Sequence, residues 1–166
     1  IPPVSMFTMS ASAICLGECV SFTDASLNTP TGWTWTFNGG TPSSSTAQNP
    51  TNICYNTPGT YTITLTACNA SGCNTSTQTI SVSSTAIPVV VLNGNPNPVC
   101  SGASSVLSAT GATSYTWTPS TFLSATTGAS VTCSPTIATT YTVTGTTNGC
   151  QGTNTISVTI VAAPTI

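Results

Sequence analysis

The chain is 166 residues long, has no Lys, Arg or His, and carries Glu18 and Asp24 as its only acids, for a formal net charge of −2. Ordinary domains are about one quarter charged. This composition leaves nothing to neutralise nucleic-acid phosphates, nothing for the usual acid–base or nucleophilic chemistry, and no run of about 18 apolar residues to enter a membrane. The chain therefore reads as a non-enzyme with no cofactor, no metal, no nucleic-acid partner and no membrane insertion.

In chain order the pattern predicts strands near 4–10, 18–23, 32–38, 51–56, 60–68 and 76–83, with a weak one near 43–47. The clearest is GTYTITLTACNASGC, in which Tyr61, Ile63, Leu65 and Ala67 alternate with Thr62, Thr64, Thr66 and Cys68. NTPTG, NGGTPSSS, NTPG and NASG supply the Asn, Pro and Gly that turns require. Further strands are expected near 88–92, 103–109, 113–118, 129–133, 139–146 and 153–161, and no helix is expected. Ser and Thr make up roughly a third of the chain, and β-branched residues dominate its periodic stretches.

The second half repeats the first. PTGWTWTF parallels ATSYTWTP, GTYTITLTACNASGC parallels TTYTVTGTTNGC, and TQTISV parallels TNTISV. Two units follow, 1–86 and 87–166, with the boundary near Thr85–Pro88. Many short strands at this spacing predict antiparallel β-sandwiches. The expected core of the first is Val20, Phe22, Trp33, Trp35, Phe37, Ile53, Tyr55, Tyr61, Ile63 and Leu65. Domains this small are marginal without staples. The opening IPPVSMF and closing VAAPTI fit a mature or excised segment.

CVSFTDASLNTPTGWTWTFNGG followed by NPTNICYNTPGTYTITLTACNASGC resembles a PKD domain, from about Cys15 to Val82, through F-T-D-x-S, W-x-W-x-F-x-G-G, N-P-T and P-G-T-Y-T. The second unit resembles the related PKD-like or Ig-like modules of bacterial surface proteins through Y-T-W, T-Y-T-V and N-G-C. The resemblance implies all-β, immunoglobulin-like sandwiches of the kind arrayed in bacterial adhesins and type IX secretion cargo. Where the family commonly has W-D-F-G-D-G this chain has WTFNGG, so the two acids of that loop are missing.

Eight cysteines without histidine point to disulfides and an oxidising compartment, not to zinc. Repeat equivalence, with what the Ig-like modules suggest, pairs Cys15 with Cys73 and Cys100 with Cys150, one bond per unit. Cys19 precedes inward Val20, and Cys54 lies between inward Ile53 and Tyr55, so both face outward on strands that neighbour each other in Ig-like topology. A Cys19–Cys54 cross-strand bond is expected. Cys68 and Cys133 are left over, and Cys68 could compete with Cys73 for Cys15. Two buried free thiols, a bond between them within the molecule and a bond between molecules all stay open.

Trp33, Trp35 and Trp117 invite a sugar-platform reading, but the shared parity of Trp33, Trp35 and Phe37 favours core packing. The threonine rows invite an ice-binding reading, which sheet twist disfavours. Asp24 is expected to cap a turn and cannot anchor calcium alone. The expected role is a structural and adhesive module of an extracellular bacterial surface stalk, fibre or filament. Its expected partners are neighbouring repeats or copies of itself, and surface glycans. The alternatives are a glycan-binding accessory module of an exported enzyme and a self-assembling subunit.

Overall fold

A computed structural model describes residues 1–161; the closing residues from Ala162 onward lie outside the described range. The chain divides into two compact units, Ile1–Ala86 and Ile87 onward. All regular elements in the described residues are strands.

In the first unit these are β1 (Phe7–Met9), β2 (Ala13–Leu16), β3 (Cys19–Val20), β4 (Phe22–Asp24), β5 (Gly32–Phe37), β6 (Gly40–Thr41), β7 (Ser44–Ser45), β8 (Ile53–Tyr55), β9 (Gly59–Asn69) and β10 (Gly72–Ala86). One layer is the five-stranded sheet β2-β10-β9-β5-β7, and the other holds the β1-β4 and β3-β8-β6 ladders. Alternation in β5, β8 and β9 sends Trp35, Phe37, Ile53, Tyr55, Ile63 and Leu65 inward, where each is at most 1% exposed. They meet Phe7, Val20, Phe22 and Ile80. Burying side chains of this size contributes about 1.5–3 kcal/mol each.

Trp33 and Tyr61, expected in the core, are only partly buried and pack against it. Tyr61 lies over Gly39, whose φ of 72° and crowding against the ring leave no room for a side chain. The Tyr61 ring also sits 5.4 Å from that of Tyr55. The Tyr55 hydroxyl is buried without a hydrogen-bond partner, and burial, with the charge of Tyr61 a lesser cause, pushes the phenol up to about 12. An orphaned buried hydroxyl costs about 1–3 kcal/mol. Tyr55→Phe is therefore expected to leave stability unchanged or raise it by about 1 kcal/mol in urea denaturation. A clear loss would show that the hydroxyl has a partner.

The second unit contains β11 (Val91–Asn95), β12 (Val99–Cys100), β13 (Ser105–Thr110), β14 (Ser114–Thr118), β15 (Ser130–Cys133), β16 (Thr139–Thr147), β17 (Cys150–Val158) and β18 (Ile160–Val161). The β14-β16-β17 and β11-β13-β15 sheets enclose Leu107, Trp117, Val131, Tyr141, Val143 and Val158, and β12 pairs with β18. The β16–β17 turn is Asn148-Gly149, both at positive φ, as a two-residue type I′ hairpin requires.

The strand expected at 88–92 begins only at Val91. Residues 88–89 instead run over two glycines: a Cβ at Gly152 would strike the Pro88 carbonyl oxygen, and one at Gly111 that of Val89. β2 and β12 lie outside the expected strands. Each pairs in parallel with the last described strand of its own unit, Ile14 beside Val82 and Val99 beside Ile160.

Candidate functional site

The cysteines are set by ladder register. Cys19 and Cys54 face each other across β3 and β8 and are disulfide-bonded. The neighbouring Tyr55 amide donates to Glu18 O, so the Cys19–Cys54 rung is the one without ladder hydrogen bonds, where side chains come closest. Cys68 and Cys73 face each other on the β9–β10 hairpin and are also bonded.

The expected Cys15–Cys73 pair is thereby corrected. Cys15 lies on β2, which runs beside Ser81–Ala86, whereas Cys73 starts the same β10 about 30 Å away at 3.3 Å per residue. The expected Cys100–Cys150 pair fails for the same reason. Cys150 starts β17, while Cys100 is next to Val161, roughly 35 Å further along the chain direction. Bridged cysteines have Cα atoms within about 7 Å. Cys100 is an exposed free thiol and Cys133 a buried one; neither Cys15 nor Cys150 is a free thiol.

A Cys68–Cys133 bond, within or between molecules, is excluded by the Cys68–Cys73 bond and by the burial of Cys133, which is 0% exposed opposite Ser105. Burial pushes the Cys133 thiol up, which keeps it protonated and inert at neutral pH. The signal for the hairpin bond was present in C-N-A-S-G-C: the cysteines straddle the two-residue turn Ala70–Ser71 symmetrically.

The three tryptophans differ. Trp35 and Trp117 are buried, with indole N–H groups donated to Ala47 O (2.9 Å) and Gly128 O (2.8 Å). Trp33 is half-buried and its indole N–H donates to Asp24 Oδ2 at 2.7 Å. Gln48 Nε2 donates to the same oxygen at 3.2 Å, and the Ser26 amide donates to Asp24 Oδ1 at 3.0 Å, closing the turn after β4. Asp24 thus ties that turn to β5 and to the segment before β8.

Burial alone would push the Asp24 carboxyl up, but the Ser26, Trp33 and Gln48 hydrogen bonds hold it below its ordinary value. Because the folded value lies below the unfolded one, the stabilisation is complete above the ordinary carboxylate range. It is lost as pH falls through the lowered folded value. Asp24→Asn is expected to lower stability near pH 7 by about 1 kcal/mol, the low end for a charged acceptor at a partly exposed site. It should also flatten the acid limb of melting temperature against pH. An unchanged acid limb would remove Asp24 from this role.

Among the described residues no cluster of His, Cys, Asp or Glu is placed to hold a metal. An open concavity of about 480 Å³ lies between the Asn28–Thr31 turn and the β9–β10 hairpin tip, with no carboxylate, imidazole or thiol in its lining.

Both units are all-β, immunoglobulin-like β-sandwiches, and two disulfides staple the first. Residues 6–82 match the PKD domain family. Solved structures similar to the chain include the titin domains Z1Z2 in complex with telethonin, at 15% identity and a TM-score of 0.39 over 99% of this chain and 98% of that one. The amphioxus IgVJ-C2 molecule has 13% identity and a TM-score of 0.38 over 89% and 99%. A structure of promiscuous carbohydrate-binding modules of the β-sandwich superfamily has 21% identity and a TM-score of 0.44 over 86% of this chain and 54% of that one. No curated protein matches the chain.

Proposed function

We propose that the chain is a non-catalytic structural and adhesive module of an extracellular bacterial surface stalk, fibre or filament, with neighbouring repeats or further copies of itself as partners. The observation that carries this reading is the tandem of two small sandwiches, the first stapled by two disulfides, with an exterior that has no basic side chain and only two acids. Disulfides of this kind persist in oxidising compartments. A nearly neutral surface gives little colloidal repulsion and favours packing against like surfaces.

The glycan-binding alternative needs exposed aromatic platforms. Burial of Trp35 and Trp117, and the engagement of the Trp33 indole N–H by Asp24, weigh against it. Immunogold imaging of native material tests the reading: label on surface fibres, with the disulfides oxidised, is the expected result. Label confined to the cell interior, with the cysteines reduced, would overturn it.

A further inference from the structure

The sheets built around β9 and β16 share one outward pattern. In the first unit Thr34, Thr66 and Thr75 stand side by side on β5, β9 and β10, and Ser44, Thr36, Thr64 and Thr77 form the next row. In the second unit the corresponding rows are Thr116, Thr144 and Thr153, then Thr118, Thr142 and Thr155. Rows within a sheet repeat about every 6.6 Å along the strands, and neighbours within a row lie about 4.8 Å apart. Inward partners such as Leu65 and Val143 fix the parity that turns these threonines out.

We propose that this threonine grid is a self-association face whose occupant is the equivalent face of a second copy of the chain. Charge matching selects this occupant. A face without charge cannot compensate a charged partner, and desolvating an unpaired charge against it is unfavourable. No aromatic ring stands in the rows to stack on a sugar. Another copy supplies two such neutral faces, each threonine offering a hydroxyl that donates and accepts and a methyl that packs. Some hydroxyls already pair across strands, Thr66 with Thr75 at 2.9 Å, so they can exchange partners when another sheet approaches.

The inference rests on the reading of the chain as a structural module, and the test separates the two. Sedimentation velocity of the oxidised chain over a concentration series is compared for three proteins. These are the unaltered chain, a grid variant (Thr36→Lys, Thr77→Lys, Thr118→Lys, Thr155→Lys), and a control with lysines on the other sheets (Thr8→Lys, Thr41→Lys, Thr110→Lys, Ser130→Lys), each verified as folded by calorimetry. The expected result is concentration-dependent association of the unaltered chain and the control, with at least a tenfold weaker self-affinity in the grid variant. Equal weakening in both variants would assign the effect to net charge and overturn the face. A chain monomeric at every concentration would overturn it too, and ice-growth inhibition by that monomer would give the grid to ordered water. Either failure leaves the surface-module reading standing, because that rests on location and redox state.

Discussion

Replacing Cys19 and Cys54 together by alanine is expected to lower the stability of the first unit by about 4 kcal/mol and its melting temperature by roughly 15–30 °C. The bond joins residues 35 apart in sequence, so its loss releases a long loop in the unfolded chain. A unit of this size has roughly 4–13 kcal/mol in total, so a large share goes with it. The Cys68–Cys73 bond spans only 5 residues, for about 2 kcal/mol in the same chain-entropy model. The β9–β10 ladder already holds those residues opposite each other.

Alanine at Cys68 and Cys73 should therefore shift the transition by about half as much. Calorimetry, with hydrogen exchange on β8 to assign the transition, reads the difference. Equal shifts from the two pairs would sink the loop argument. The second unit has Val106 opposite Thr132 beside inward Leu107 and Val131, the place that Cys19 and Cys54 hold beside Val20 and Ile53. It has no staple there.

Parity along single strands was legible in the sequence: it turns Val20, Phe22, Trp35, Ile53, Ile63 and Leu65 inward, and the structure buries all six. Parity gives a face, not a depth. Trp33 shares the parity of Trp35 but sits on an early rung of β5, opposite Ala67 and near the sandwich end, and is only half-covered. What the sequence hid is non-local. Ala-Ile-Cys-Leu on β2 shows no alternation, and its partner lies in β10 at Ser81–Ala86, far along the chain. Repeat equivalence showed that Cys15 resembles Cys100 in position. It carried no information on whether Cys15 lies near Cys73, and the parallel pairing of β2 places them at opposite ends of β10. The Asp24 turn was legible from F-T-D-x-S, but its hydrogen bonds to Trp33 and Gln48 join segments that only the folded sandwich brings together.

Trp35→Ala is expected to destabilise the first unit by about 3–5 kcal/mol, the range for truncating a buried aromatic residue. Trp35 is 0% exposed, and its ring lies 5.1 Å from Phe7, 5.7 Å from Phe22 and 5.9 Å from Phe37. Such ring pairs contribute about 0.5–1.5 kcal/mol each beyond the area they bury. Its indole N–H also holds Ala47 O, so truncation opens a cavity between the two layers and frees the segment that follows β7. Trp35→Phe keeps a ring among the other aromatics but loses that hydrogen bond and some volume, and should cost about 1–3 kcal/mol. Trp33→Ala removes a half-covered ring and one donor to Asp24, for about 1–2 kcal/mol. Urea denaturation of the three variants reads the order directly. If Trp33→Ala proved as damaging as Trp35→Ala, the main buried anchor of this unit would lie at the Asp24 end of the sandwich instead of among Phe7, Phe22 and Phe37.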